Sequence, residues 1–219
     1  MMLKYIFLAI FILIGAAHII CIALQKERLR RISKTLIIPF LFAFYITAAE
    51  NPQVLPIIAL AFGWIGDILL INKRRRLNFK LGLASFLLGH ICYAIAFINN
   101  LKTGSLLNFN LNAAFVYIPL AMVIGMLTLM LIKPNKEMLV PVIIYLVGIE
   151  TMCFWAFELF ACNSSFGAAL IFSGSLFFIV SDTLLGFFTF RKLKLAGAVM
   201  IMLFYIIAQA EIIMGFLAY

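Results

Sequence analysis

Charge is what this chain has least of. Only 11% of its 219 residues are charged and 66% are hydrophobic, whereas soluble domains carry about a quarter charged residues. No stretch is both polar and long enough to fold as a separate water-soluble unit. Any chemistry must therefore take place between helices or at their ends. The 4 cysteines (Cys21, Cys92, Cys153, Cys162) are scattered without a Cys-x-x-Cys. They leave no disulfide or metal framework, and apolar packing is their reading. The 2 histidines, His18 and His90, are far apart and outside any His-Glu-x-x-His, so zinc has no ligand set to point to. Gly-x-Ser-x-Gly and a Walker loop are also missing, which removes serine catalysis and ATP-driven work. No metal or organic cofactor is expected.

What the chain has in abundance is apolar runs, with a mean hydropathy of +1.19. Eight stretches are long enough to cross a bilayer: 3–24, 35–50, 54–71, 81–99, 111–132, 138–160, 166–190 and 195–217. The expected fold is all-α, a polytopic membrane protein of eight transmembrane helices in a single transmembrane domain. The first run follows Lys4 but is too long for a signal-peptide core and lacks a small-x-small cleavage site, so it reads as an uncleaved span.

The net charge of +9 would suit nucleic acid if it were clustered on a soluble face, but its distribution argues otherwise. Every lysine and arginine except Lys4 and Lys102 falls in the first, third, fifth or seventh connection, with the densest runs at 26–34 and 73–80. The positive-inside rule then puts both termini outside the cytoplasm, in a bacterial cytoplasmic membrane. The basic connections would also attract anionic lipid headgroups.

The acids are few enough to weigh individually. Glu27 and Glu137 lie in the basic connections. Glu50 sits beside Asn51-Pro52 at the outer interface, and Glu158 and Glu211 are expected near the outer ends of their spans in the same way. Asp67, Glu150 and Asp182 are left well inside. An ionisable group at the centre of a span costs about 2.5–3.5 kcal/mol on insertion scales, which makes each a candidate for function.

Asp67 and Asp182 also echo one another. Each follows a small residue (Gly66, Ser181) and precedes Leu-Leu at +2 and +3. Counted from the basic connections at about 1.5 Å per residue, they lie roughly 7 Å and 13 Å deep in the same half of the bilayer. If the third and seventh spans are neighbours, the two carboxyl groups share one cavity. Two such groups in a water-poor site do not ionise alike, which leaves one as proton donor and the other as base. The second and sixth spans echo each other too, in Pro39, Tyr45, Glu50 and Pro141, Tyr145, Glu150, which suggests a four-plus-four parallel repeat.

Other polar side chains could join them. His90 lies mid-span on a helix whose Gly82, Ser85 and Gly89 form a small face. Gly63 and Gly66 do the same on the third span, so close packing would bring His90 or Tyr93 towards Asp67. Tyr205 and Gln209, spaced i, i+4, share one face of the last span. Tyr145, Glu150 and Met152 sit together on the sixth. For all of these an interhelical hydrogen bond is as good a reading as substrate contact, and His18 reads as packing.

In order along the chain come FGWIGDILL, then GLASFLLGHICY, YLVGIETM, GAALIFSGSLFFIVSD and YIIAQ. This ordered set resembles the YhhN family, whose animal members are lysoplasmalogenases, over nearly the whole chain. At the start of the second span, where that family has Lys-Pro-Leu, this chain has Lys34-Thr35-Leu36. The lysine is kept, without the local turn.

The resemblance implies hydrolysis of the vinyl ether bond of lysoplasmalogens to a fatty aldehyde and a glycerophospho-alcohol. Asp67 and Asp182 would be the paired catalytic carboxylates. His90, Tyr93, Glu150, Ser181, Tyr205, Gln209 and Lys34 would bind substrate or support the pair. The partners implied are a lysophospholipid or ether-lipid substrate and membrane lipids.

Two other functions fit parts of the pattern. Buried acids and a repeat would suit a proton-coupled transporter of a small molecule or lipid. Intramembrane aspartyl proteases also place two aspartates on separate helices, but they carry Gly-x-Gly-Asp where this chain reads Trp-Ile-Gly-Asp, and their Pro-Ala-Leu is missing here.

Overall fold

The computed structural model of the chain describes residues 2–72, 76–103, 106–107, 109–191 and 195–219, with the backbone alone at 102–103 and 106–107. Lys73, Arg74, Arg75, Lys192 and Lys194 of the basic connections lie outside the described residues. The structure is built of α1 (Met2–Ala23), α2 (Glu27–Ala48), α3 (Val54–Ile71), α4 (Arg76–Leu101), α5 (Leu111–Ile132), α6 (Lys136–Cys162), α7 (Phe166–Phe190) and α8 (Leu195–Ala218). All eight are long and apolar enough to cross a membrane. Between α4 and α5, Lys102–Thr103 pairs antiparallel with Leu106–Leu107. Asn110 and Ser165 start α5 and α7 by accepting hydrogen bonds from the backbone N–H three residues on.

The second helix differs most from expectation. It begins at Glu27 rather than near residue 35, so most of the basic connection forms its first turns. Nothing in the run ERLRRISK breaks a helix, and Arg30 pairs with Glu27 at 2.6 Å across one turn. The consequence is that Arg30, Arg31 and Lys34 are held on a rigid element.

Seven of the helices form a closed ring in the order α1, α2, α3, α4, α6, α7, α8, with α8 returning to both α1 and α2. The fifth leans on α6 and α7 from outside, and most of its side chains are exposed. Inside the ring the closest packing is between α7 and α8, between α3 and α4, and between α1 and α2. Glycine makes two of these approaches possible. A Cβ on Gly66 of α3 would lie 2.7 Å from the Phe86 ring of α4, and one on Gly215 of α8 would lie 2.7 Å from the Gly167 carbonyl of α7.

A proline supplies a further tie. Pro39 lies inside α2 and has no N–H to give the carbonyl of Thr35 one turn earlier. The indole Nε1 of Trp64, on α3, donates to that carbonyl at 2.8 Å. A backbone acceptor that would go unmet in hydrocarbon therefore pins α3 to α2. The pin lies one residue from Lys34 and three from Asp67.

Candidate functional site

The two aspartates lie on opposite arcs of the ring, and each is held by its own set of partners. On one arc Asp67 of α3 is 2% exposed. Its Oδ1 lies 3.2 Å from Nζ of Lys34 on α2, and its Oδ2 accepts a 2.7 Å hydrogen bond from the Tyr205 hydroxyl on α8. One turn further along α8, Gln209 Oε1 accepts from the Tyr93 hydroxyl of α4 at 2.9 Å. Tyr205 and Gln209 thus occupy one face of α8, the first bonded to Asp67 and the second to Tyr93.

On the other arc Asp182 of α7 accepts a short hydrogen bond from the Tyr145 hydroxyl of α6. With that proton donated, the Tyr145 oxygen is free to accept from His90 Nε2 of α4, 2.9 Å away. The same nitrogen lies 3.6 Å from Asp182 Oδ2. His90, Tyr145 and Asp182 therefore form a continuous chain able to hold and pass a proton.

Aromatic rings separate the two sets. Phe86 and Phe178 both meet the Tyr205 ring edge-on, with centroids 6.0 Å and 5.6 Å away. Phe178 also meets His90 edge-on at 4.7 Å. The carboxylates are thus not held by a direct bond to each other. Helix α3 packs on α2 and α4, and α7 packs on α6 and α8, so the third and seventh spans lie across the ring from each other instead of packing side by side as expected, with the two acids still near enough for their charges to interact. Tyr205 and the phenyl rings bridge the gap.

Several other expectations change. His90 joins Asp182 rather than Asp67, because α4 faces α6 at that level as well as α3. Tyr93 bonds Gln209 rather than either acid. Glu150 is half-buried between α5 and α6, where it accepts from Tyr117 at 3.1 Å, away from both sets. Ser181 donates to the Ile201 carbonyl at 3.0 Å and so ties α7 to α8. Glu158 lies four residues from the end of α6, towards the end of its span as expected, but it is fully buried and accepts from the Asn110 backbone N–H at 2.9 Å. Asn110, which caps α5, lies over it. Glu211 accepts from Ser173 at 2.6 Å across α7 and α8, and His18 Nδ1 meets Ser33 Oγ at 2.8 Å.

Tyr145 was the important omission from the expected site. Its place in YLVGIETM was visible, but nothing in an apolar helix tells which of its neighbours it will face. Among the described residues, no group of three or more His, Cys, Asp or Glu side chains converges as a metal site would require.

Two spaces open beside the two sets. A cavity of about 1050 Å³ lies between α1, α2, α3, α7 and α8, and Lys34 is on its wall together with Arg30, Arg31 and the apolar Leu70, Leu185 and Met202. On the other side, a cleft of about 30 Å³ reaches Asp182, Tyr145 and Thr183 between mainly apolar walls, including Leu146, Ile179 and Leu185. That is enough room for a water molecule. Leu185 lines both spaces.

The model of the YhhN family fits residues 29–216, most of the chain. No curated protein and no solved structure matches.

Proposed function

The chain belongs to the YhhN family, and on that basis we propose that this multi-pass membrane protein is a lysoplasmalogenase-like hydrolase that cleaves a vinyl ether bond by paired-carboxylate catalysis. The observation that carries the reading is the unequal partnering of its two buried aspartates. Asp67 faces an ammonium, which suits a carboxylate. Asp182 meets a hydroxyl and an imidazole, a hydrogen-bonded chain along which a proton it donates can be replaced.

The reaction divides between them. Asp182 delivers a proton to the outer carbon of the vinyl ether, leaving an oxocarbenium ion on the carbon next to the ether oxygen. Asp67 stabilises that cation and takes a proton from the water that captures it. The resulting hemiacetal collapses: Asp182, now a carboxylate, takes the hydroxyl proton, the C–O bond to glycerol breaks, and the proton gained by Asp67 passes to the glycerol oxygen, which returns both groups to their starting states. One water is consumed, and one aldehyde and one alcohol leave. Paired carboxylates divide donor and base in the same way in glycoside hydrolysis. Tyr205 and Lys34 hold Asp67 in place, and Tyr145 and His90 hold Asp182.

The test is aldehyde release from purified protein in detergent supplied with a lysoplasmalogen. The hydrolase reading predicts turnover with no gradient across a membrane. A proton-coupled transporter would release no aldehyde under those conditions, and absence of aldehyde would overturn the proposal.

A further inference from the structure

The large cavity is amphipathic in a way that the catalytic chemistry does not require. One wall is formed by Arg30, Arg31 and Lys34 of α2, and the facing side brings Leu70, Leu185 and Met202 of α3, α7 and α8 together with the polar Asn72 and Thr189. Glu27 is the acid among the described lining residues, and Arg30 occupies it at 2.6 Å. Lys34 is held by Asp67, so the Arg31 guanidinium is the cation on this wall for which α2 supplies no counter-charge. A cationic wall facing a mixed but mainly aliphatic one, within about 1050 Å³, fits a phosphate ester carried on a single hydrocarbon chain. A free anion would leave the aliphatic side bare.

The spacing agrees. Arg31 and Lys34 are one turn apart on α2, a rise of about 4.5 Å. In a glycerophospholipid the phosphorus and the ether oxygen at the far end of the glycerol are separated by five bonds, which span about 6 Å when extended. A phosphate on Arg31 therefore leaves the ether oxygen level with the Lys34–Asp67 pair, from which the chain can pass Leu185 towards Asp182.

We infer that this cavity is a headgroup site, in which Arg31, with Arg30 beside it, reads the phosphate of a single-chain phospholipid and sets the register of the scissile bond against Asp67. The inference deepens the hydrolase reading and rests on it for that register. The headgroup site itself can be tested without turnover.

The probes are an ester-linked lysophosphatidylethanolamine, a monoacylglycerol of the same chain length, and inorganic phosphate. Equilibrium binding to the full-length protein in detergent is the readout. The phosphate lipid should bind at least about tenfold more tightly than the monoacylglycerol, a preference in the range of one charged hydrogen bond. Arg31→Gln should remove most of that preference and leave monoacylglycerol binding unchanged, which also shows that the variant is folded. Arg28→Gln removes the same charge from an exposed position on α2 outside the cavity, and should change neither.

Equal binding of the two lipids would overturn the assignment. So would an Arg31→Gln effect no larger than that of Arg28→Gln, or displacement of the lysolipid by equimolar inorganic phosphate. A phosphate preference in a protein that releases no aldehyde would keep the headgroup site and sink the hydrolase. Aldehyde release from a protein indifferent to the phosphate would do the reverse.

Discussion

Asp67 and Asp182 have nearly the same local sequence but different surroundings. Both stand in an Asp-x-Leu-Leu segment of an apolar helix, and both accept a hydrogen bond from a tyrosine on another helix. They differ in the second partner. Asp67 has Lys34 and lies beside a cavity with a cationic wall, whereas Asp182 has His90 and lies beside a narrow, mainly apolar cleft. Local sequence alone cannot distinguish a base from an acid here, because the distinction comes from what the neighbouring helices bring.

The comparison breaks most severely if either acid is removed. Asp67→Asn and Asp182→Asn should each lower kcat by about 10³-fold, within the range of general acid–base contributions, as measured by aldehyde release. If one of them kept full activity, the division of roles would fail. Next come the charged and imidazole partners. Lys34→Gln should lower kcat by about 10²-fold by leaving Asp67 buried without its cation, and Lys34→Arg should recover part of that loss. His90→Gln should cost less, about tenfold, because Tyr145 still donates to Asp182.

The tyrosines allow a finer comparison between the two arcs. Tyr145→Phe and Tyr205→Phe each remove one hydrogen bond to a carboxylate, and each should lower kcat about tenfold. Tyr145→Phe should also shrink the effect of His90→Gln, because the histidine then acts on Asp182 only across the longer 3.6 Å contact. The smallest effect belongs to Trp64→Phe. It should destabilise the fold by about 1 kcal/mol by leaving the Thr35 carbonyl unpaired, a loss readable as a lower Tm in detergent.

Much of this was legible from the sequence, for identifiable reasons. Apolar runs and basic connections outline the helices because the bilayer demands length and the charges avoid it. Asp67, Asp182 and His90 stand out because polar groups are expensive there. What sequence could not supply was rotation and neighbours. The helices are apolar nearly all round, so periodicity does not say which face of α6 is turned inward or that Tyr145 will meet Asp182. The early start of α2 was hidden because a run of arginines reads as a loop when hydropathy alone is considered. The Trp64–Thr35 bond depends on Pro39, four residues beyond Thr35 on α2, and the burial of Glu158 depends on Asn110 lying over it.

The division of roles can be tested by running the hydrolysis in deuterium oxide, trapping the aldehyde by reduction, and reading the stereochemistry at the carbon beside the former carbonyl. A protein-held donor should place one deuterium on a single face in the wild type. The residual product of Asp67→Asn should keep that single-face label, because its donor is intact. The residual product of Asp182→Asn should carry the label on both faces. A label on both faces in the wild type, or a single-face label that survives Asp182→Asn and is lost in Asp67→Asn, would contradict the assignment.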